Sequence, residues 1–541
     1  MIRVSGVALR LAEVPRDFKP LVARLTGWRD IVSVAIARKS VDARQRSAVK
    51  LEYAFDVAVS GSEADALRRS RWKSVQIVDD PAPFSPPSVQ MKTRPVIVGA
   101  GPAGILAGLA LAEAGANPLI VERGRPVADR RRDVQRFWKE GKLDTESNVQ
   151  FGEGGAGAFS DGKLNSGIKK DAFTRKVLAE FVAAGAPEDI LYSNKPHIGT
   201  DRLSPMLERL RARIESLGGE YRFETRLDDI DVRDGRLRAV TLSGPDGREV
   251  VPVSAVVLAV GHSARDTFEM LYRRGVLMVQ KPFAVGARIE HLQTFINQSR
   301  YGTAHPDPLI GAADYKLAVR TASGRGVYTF CMCPGGYVVA AASEDKRFVT
   351  NGMSEYARDG VNANSAVLVD VRPDDFRSDH PLAGVEFQRR IEEKAFAAGG
   401  GNWRAPVQRV VDFLTGRETT AFGAVAPSCA AGTEFADLRA VLPPFVVDAM
   451  KEGFALLNRK IYDFAGNDAV LTAAETRSSS PVRMTRDPAS LESVSVAGLY
   501  PCGEGAGYAG GILSAAADGL RCADRILQKE LNKGENIDAD V

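Results

Sequence analysis

"PVIVGAGPAGILAGLALAEAGANPLIVERG", residues 95–124, decides how the rest of this 541-residue chain is read. Three apolar residues, Val96–Val98, run directly into Gly99, Gly101 and Gly104, and these open an apolar helix. A second apolar triplet, Leu119–Val121, ends at Glu122, twenty-one residues beyond Gly101. A bare GxGxxG says little, but strand, glycines, helix, second strand and acidic residue at this spacing make a dinucleotide-binding unit. Gly99 permits the tight turn, Gly101 lets the backbone approach a pyrophosphate, and Gly104 lets helix and strand pack closely. The helix start, at Pro102 and Ala103, then faces the phosphate charge. Glu122, followed by Arg123, is placed to accept from the adenosine ribose hydroxyls.

Whether the nucleotide is NAD or FAD is decided far from this unit. "GLYPCGEGAGYAGGILSAAADGLRCADRIL" begins at Gly498 with a short strand, passes Gly503 and Glu504, and enters a long helix near Ile512. Flavoproteins of the glutathione-reductase and hydroxybenzoate-hydroxylase type need such a returning segment. Its acidic residue accepts from the ribityl hydroxyls, and the amides around Gly510, Gly511 and Ile512 face the flavin N1/C2 edge. An NAD dehydrogenase has no use for it. "SAVVLAVGHSARDT" adds a third element, a buried strand ending at Ala259-Val260-Gly261. The cofactor is therefore expected to be FAD. With a single GxGxxG there is no second dinucleotide domain, so NAD(P)H is expected only as a transient electron donor.

Between these elements lies "FGEGGAGAFSDGKLN", residues 151–165, with five glycines in fifteen positions. Ordering each glycine costs about 0.5–1 kcal/mol more than ordering alanine, so a ligand or a special backbone path must compensate. A flexible linker explains the glycines but not Phe151, Phe159 and Leu164. The loop is expected to bring amides of Gly154, Gly155, Ala156, Gly157 and Gly162 to phosphate or flavin oxygens, with Ser160, Asp161 and Lys163 as polar ends. His197 is expected to tether it. The helix that follows carries apolar residues at 203, 206, 207, 210, 214 and 217.

Composition sets limits. The chain is 44% hydrophobic and 26% charged with a net charge of +4, which points to no nucleic-acid partner. The N-terminus does not read as a signal peptide, and no apolar run approaches eighteen residues, so no membrane span is expected. The five cysteines are odd in number and include no CxxC, which argues against a disulfide framework, a zinc site or a dithiol redox motif. A cytoplasmic location is expected, with no metal.

Around the dinucleotide unit the chain divides as follows. Residues 1–78 read β-α-β-β-α-β, the ferredoxin-like arrangement, with a basic loop "RKSVDARQR" between its second and third strands. Tyr53 and Phe55 share a face of the third strand; that is an RNA-platform pattern, but a place in the core is the expected reading. Residues 79–95 carry five prolines and read as a semi-rigid linker. Residues 96–265 and 486–530 form a discontinuous Rossmann-like FAD-binding domain, 266–485 an α+β substrate domain or lid, and 531–541 a polar tail. The fold class is α/β.

Several motifs together resemble the bacterial FAD-dependent dehydrogenase-like flavoproteins that carry an extra N-terminal domain. They are "RKSVDAR", "VGAGPAGILAGLALAEAG", "QFGEGGAGAFSDGKLN", "HIGTD", "GARIEH", "TNGMSEYARDGVNANSA", "TRSSSPVRMTRD" and "GEGAGYAGGILSAAADG". The resemblance covers nearly the whole chain. It implies an FAD-bound core with the N-terminal module appended, and it supplies no substrate.

Candidate chemistry centres on three residues. In "ETRSSSPVRMTRD" (475–487), Arg477 and Arg483 suit a bidentate grip on a carboxylate or phosphate; the alternatives are the FAD pyrophosphate or a bridge between domains. Lys163 suits polarising a carbonyl or stabilising reduced-flavin charge, the alternative being a surface lysine. His262 and His291, beside strands, are expected to be structural, and Cys331 and Cys333, a CxC on one strand face, to be core residues rather than a redox pair. These readings make an FAD-dependent oxidoreductase acting on a small molecule, with a redox partner protein as a further expectation. One alternative is an FAD monooxygenase, whose usual mid-chain Asp-Gly motif is not clear here: Asp161-Gly162 comes too early, and Asp234-Gly235 and Asp246-Gly247 look like hairpin turns. The other is an RNA-associated or non-catalytic flavoprotein using residues 1–78; neither DNA nor RNA is the expected partner.

Overall fold

The computed structural model describes residues 1–79, 81–164 and 171–538. Asn165, the last residue of the glycine-rich stretch, and residues 539–541 of the expected tail lie outside them. The helix Ile512–Asp538 carries the chain well into that tail.

A five-stranded parallel sheet organises the dinucleotide unit. Its order is Leu499–Pro501, Val256–Leu258, Val96–Val98, Leu119–Val121, Glu220–Arg222. Successive side chains of a strand face opposite ways, and both faces of this sheet are covered. Ile97, Ile120 and Val257 join the core of helices Pro102–Glu113 and Ile512–Asp538. Val96, Val98, Leu119, Val121, Val256 and Leu258 pack against a three-stranded antiparallel sheet, Arg226–Arg233, Arg236–Gly244 and Gly247–Pro252. The middle strands come from the first stretch of this domain and an edge strand from the last, so the domain is discontinuous.

The intervening chain builds a seven-stranded sheet in the order Ala318–Arg320, Gly326–Cys333, Asn362–Val371, Phe283–Leu292, Val470–Glu475, Ala405–Arg409, Thr433–Phe435. All pairs are antiparallel except the last. Helices Ala383–Ala398 and Pro444–Asn458 share its main core. The chain leaves and re-enters the Rossmann-like domain through two strands that pair with each other, Met278–Gln280 and Val482–Met484.

The first seventy-seven residues form strands Ile2–Arg10, Ile31–Asp42, Lys50–Val59 and Val75–Ile77 with helices Lys19–Thr26 and Glu63–Arg69. The strand order, second-third-first-fourth, is ferredoxin-like. Tyr53 and Phe55 are buried, their rings 5.5 Å apart and both under Phe18, so they are core residues. The stretch read as a basic loop is partly strand, because Ile31–Asp42 extends through it. Lys39 exchanges backbone hydrogen bonds with Tyr192 and Asn194, which docks this edge on the Rossmann-like domain. The proline-rich segment is also tied down: Phe84 stacks on Phe173 at 4.7 Å and donates its N–H to Ala172. Among the described residues no helix is long and apolar enough to cross a membrane.

Candidate functional site

A cavity of about 450 Å³ opens at the C-terminal ends of the parallel strands, where open α/β sheets bind their ligands. Gly99, Gly101, Pro102, Ala103, Glu122, Arg123, Gly155, Ala156, Gly157, Ser160, Asp161, Ala259, Gly261, Gly503, Glu504, Gly510, Gly511 and Ile512 line it, as do Lys163 and Arg477. The domain built on the seven-stranded sheet adds Tyr315, Thr329, Cys331, Thr350 and Asn351 to the wall. The cavity therefore spans a dinucleotide cradle and a second domain.

The glycines separate into two physical groups. A methyl group on Gly104 would sit 1.8 Å from the Gly99 carbonyl, and one on Gly99 would sit 2.4 Å from the Ala259 carbonyl. Those two glycines are required by the protein itself. At Gly101 the nearest atom to such a methyl is 3.8 Å away, and at Gly261, Gly510 and Gly511 nothing lies within 4 Å. These backbones face open space, which fits a cofactor lying against them. The helix Pro102–Glu113 starts at Gly101 with no side-chain cap, leaving its first amides available to phosphate.

Both oxygens of Glu122 hold the turns of the cradle. One accepts from Ala100 N at 2.8 Å, the other from Gly152 N at 2.9 Å and Gly124 N at 3.0 Å. A carboxylate oxygen has lone pairs to spare, so this role leaves room for a ribose hydroxyl. Arg123 is fully engaged elsewhere, on Glu146 and Asp266, with its guanidinium 4.2 Å from the Phe151 ring.

What the glycine-rich loop wraps around is Arg130. This buried guanidinium donates to the carbonyls of Asn148, Val149, Gly152 and Glu153 at 2.7–3.2 Å. Burial lowers it only to about 10, so it stays cationic. Glu153 in turn accepts from Val127 N and Arg211. Nothing in the RRRD run around Arg130 distinguishes it from a surface arginine, so no local signal singles it out. Gly152 exists for it: a methyl there would lie 2.4 Å from Arg130 Cδ.

Four of the expected site residues do not line the cavity. Gly104 lies behind the turn in the helix–strand contact. Gly154 donates to Ala100 O at 2.7 Å and packs on Leu207. Gly162 sits against Ile198 and Gly199. Arg483 projects to solvent from the strand Val482–Met484, its guanidinium over Tyr508. Alternation along that strand buries Val482 and Met484 and leaves Arg483 outside. Arg483→Ala is accordingly expected to change FAD affinity by less than about twofold, a surface-type effect, measured by flavin fluorescence titration.

Ser160 and Asp161 hold the loop rather than project freely. Ser160 Oγ donates to Gly157 O at 2.7 Å and accepts from Gly162 N at 3.0 Å. Asp161 is buried between Lys163 Nζ at 2.9 Å and the Arg358 guanidinium, with Ser354 donating to it. Burial pushes its carboxyl up, but the two cations outweigh that and hold it below the usual range. Arg358 and Ser354 lie almost two hundred residues from Asp161, and no local spacing relates them. Lys163 also donates to Met332 O, so the loop is fastened to the second domain. His197 stacks on Tyr356 at 5.1 Å.

Arg477 lines the cavity but its guanidinium is committed to the domain boundary. It pairs with Glu392 at 2.9 Å and donates to Ser263 Oγ and Ser343 Oγ. Arg265 grips the same Glu392 at 2.8 Å. Burial pushes Glu392 up, yet the two guanidiniums hold it well below the usual carboxylate range. His262, on the cavity wall, is kept neutral down to about 3 by burial and by Arg477 and Arg265. His291 is buried and bonds Phe464 O. Glu504 faces the cavity with its carboxyl pushed up by burial to about 7. Cys502, Asp518 and Cys522 gather within 4.8 Å, but Asp518 is already held by both Arg486 nitrogens and Gly503 N.

A parallel sheet whose glycine turn opens onto an uncapped helix, with Glu122 and Glu504 both lining the cavity, defines a flavoprotein cradle. Residues 92–133 match the family of FAD binding domains, and residues 282–478 match FAD-dependent proteins, C-terminal domain-like. A protein of Clostridium beijerinckii is 49% identical over 533 residues, covering 98% of this chain and 99% of that protein. The chain belongs to this family of FAD-dependent proteins, and its cofactor is FAD. Similar solved structures include the halogenase PltM (12% identity, 82% of this chain and 70% of that one, TM-score 0.39). The flavin-dependent brominase Bmp2 (13%, 81% and 79%, 0.37) and a flavoprotein/dehydrogenase from Cytophaga hutchinsonii (12%, 81% and 79%, 0.34) are further examples.

Proposed function

We propose that this flavoprotein transfers hydride between flavin N5 and a small organic substrate held between the cradle and the seven-stranded sheet. The observation that carries the reading is a cavity shared by the two domains, lined by the glycine cradle of one and by Tyr315, Thr329, Thr350 and Asn351 of the other. FAD, when bound, supplies the two-electron chemistry. The chain's own residues would hold it: Gly101, the helix start and Gly155–Gly157 at the pyrophosphate, Glu122 at the ribose, Glu504 at the ribityl hydroxyls. Backbone amides at Gly510, Gly511 and Ile512 would stabilise charge at the flavin N1/C2 edge. Lys163, kept cationic by Asp161, is the group placed to favour negative charge on a substrate. Arg477 acts as a bridge between the domains instead of a substrate clamp.

The test is an anaerobic titration of the purified protein with NADPH and then NADH, following the flavin absorbance band. Bleaching by either nucleotide supports a reductase fed transiently by a pyridine nucleotide, and reoxidation by oxygen with substrate hydroxylation would move the assignment to a monooxygenase. A band untouched by both supports a substrate-fed dehydrogenase or one coupled to a redox partner protein. A protein that takes up no flavin overturns the proposal.

A further inference from the structure

We propose that Cys331 and Cys333 form a redox-active dithiol on the wall of this cavity, closing to a disulfide as it delivers two electrons. The inference rests on the reading that the cavity holds the flavin. Regular alternation would put both thiols side by side on one strand face, as expected for core residues. The strand Gly326–Cys333 does not continue regularly. Its pairing skips between Phe330, opposite Ala366, and Cys333, opposite Asn364, so two residues bulge against one. Cys331 takes a φ of +44° within that bulge, a conformation side chains other than glycine rarely adopt. Bulges re-aim side chains and recur beside active sites. Here Cys331 lines the cavity, partly exposed, while Cys333 is buried behind it with its Sγ 3.3 Å from the Cys331 carbonyl.

Two cations from different elements converge on the pair. Lys163 Nζ, from the glycine-rich loop, is 4.0 Å from Cys333 Sγ. Arg288, fully buried on the strand Phe283–Leu292, is 3.9 Å from the same sulfur and donates to Cys331 O at 2.7 Å. The charges beyond them are Asp161 on Lys163, Glu475 on Arg288 and Arg358 on Asp161, three cations against two carboxylates. The neighbouring Cys333 thiol, Lys163 and Arg288 hold the Cys331 thiol below its usual range, against the burial that opposes ionisation. A low-lying thiolate is what thiol–disulfide chemistry requires.

The step balances within the protein and its cofactor. The Cys333 S–H bond breaks and one S–S bond forms with the Cys331 thiolate; two electrons and one proton reduce the flavin, the Cys331 proton having already left to solvent. Run in reverse, reduced flavin opens the disulfide, and the dithiol then reduces a low-molecular-weight disulfide small enough for the cavity.

The experiment uses the full-length protein, its flavin band recorded first, so that cofactor content is scored separately from the thiols. The protein is reduced with dithiothreitol, desalted without oxygen, exposed to oxidised glutathione, denatured in acid and alkylated with N-ethylmaleimide for intact and peptide mass spectrometry. The expected result is a fall from five alkylated cysteines to two fewer, with the missing pair on the peptide carrying 331 and 333. Cys333→Ser is expected to trap Cys331 as a glutathione mixed disulfide. Retention of all five thiols, a single adduct without closure in the wild type, or loss mapped to Cys502 and Cys522 overturns the proposal. So does a Cys333→Ser protein in which Cys331 stays unmodified.

Discussion

Gly101→Val is expected to yield a folded protein that no longer retains FAD. A valine there meets no protein atom closer than 3.8 Å at its first carbon. Its backbone, φ −80° and ψ −177°, is one that valine adopts readily. The added carbons therefore enter the cavity where the pyrophosphate must approach the helix start. Losing that approach should weaken FAD by at least about a hundredfold, which is about 2.7 kcal/mol. The measurement is FAD content after gel filtration together with a circular dichroism melt of the apo-protein. Gly104→Val is the contrasting case: its first carbon would lie 1.8 Å from the Gly99 carbonyl, so it should fail to fold with or without cofactor. A Gly101→Val protein that purifies with full flavin would show that the glycine turn does not bind the pyrophosphate.

Glu392→Gln should give a large loss of stability. Glu392 is wholly buried and accepts from both Arg265 and Arg477, as well as from Thr476. Arg265 belongs to the Rossmann-like domain and Glu392 to a helix of the second, so the network fastens one to the other. Neutralising the carboxylate leaves two buried guanidiniums short of a counter-charge, a change that costs about 3–5 kcal/mol. Calorimetry of the apo-protein measures it, and Asp231→Asn, which breaks an exposed pair with Arg233, should cost less than about 1 kcal/mol. The same carboxylate predicts the acid response. Because its native pKa is depressed below the unfolded 4.5, its contribution is present in full above that value and is lost as pH falls below it. Glu392→Gln should therefore flatten the stability profile on the acid side. An unchanged profile would mean that the network does not hold the domains together.

How much was legible in the sequence follows from how local each feature is. The turn at 99–104, Glu122 and the returning Gly503-Glu504 segment are each set by neighbours a few residues away, so their place in the fold is legible without coordinates. The β-α-β-β-α-β order at the N-terminus was legible for the same reason, since hydrophobic alternation and turns are written locally. Arg483 was misplaced because proximity in sequence to Arg477 says nothing about which face of a strand a side chain takes. One residue either way decides between cavity and solvent.

The sequence alone determined the cofactor and the discontinuous layout, because the glycine turn and the returning segment that define them are written locally. Only the tertiary structure decided that Arg130 is the post around which the glycine-rich loop is wound, and that Arg477 serves Glu392. The bulge that turns Cys331 toward the cavity was decided there as well. In each case the partner lies about twenty to more than a hundred residues away, or depends on a backbone irregularity. Burial then sets the energies: a guanidinium or thiol takes its role from the charges and carbonyls that folding places around it.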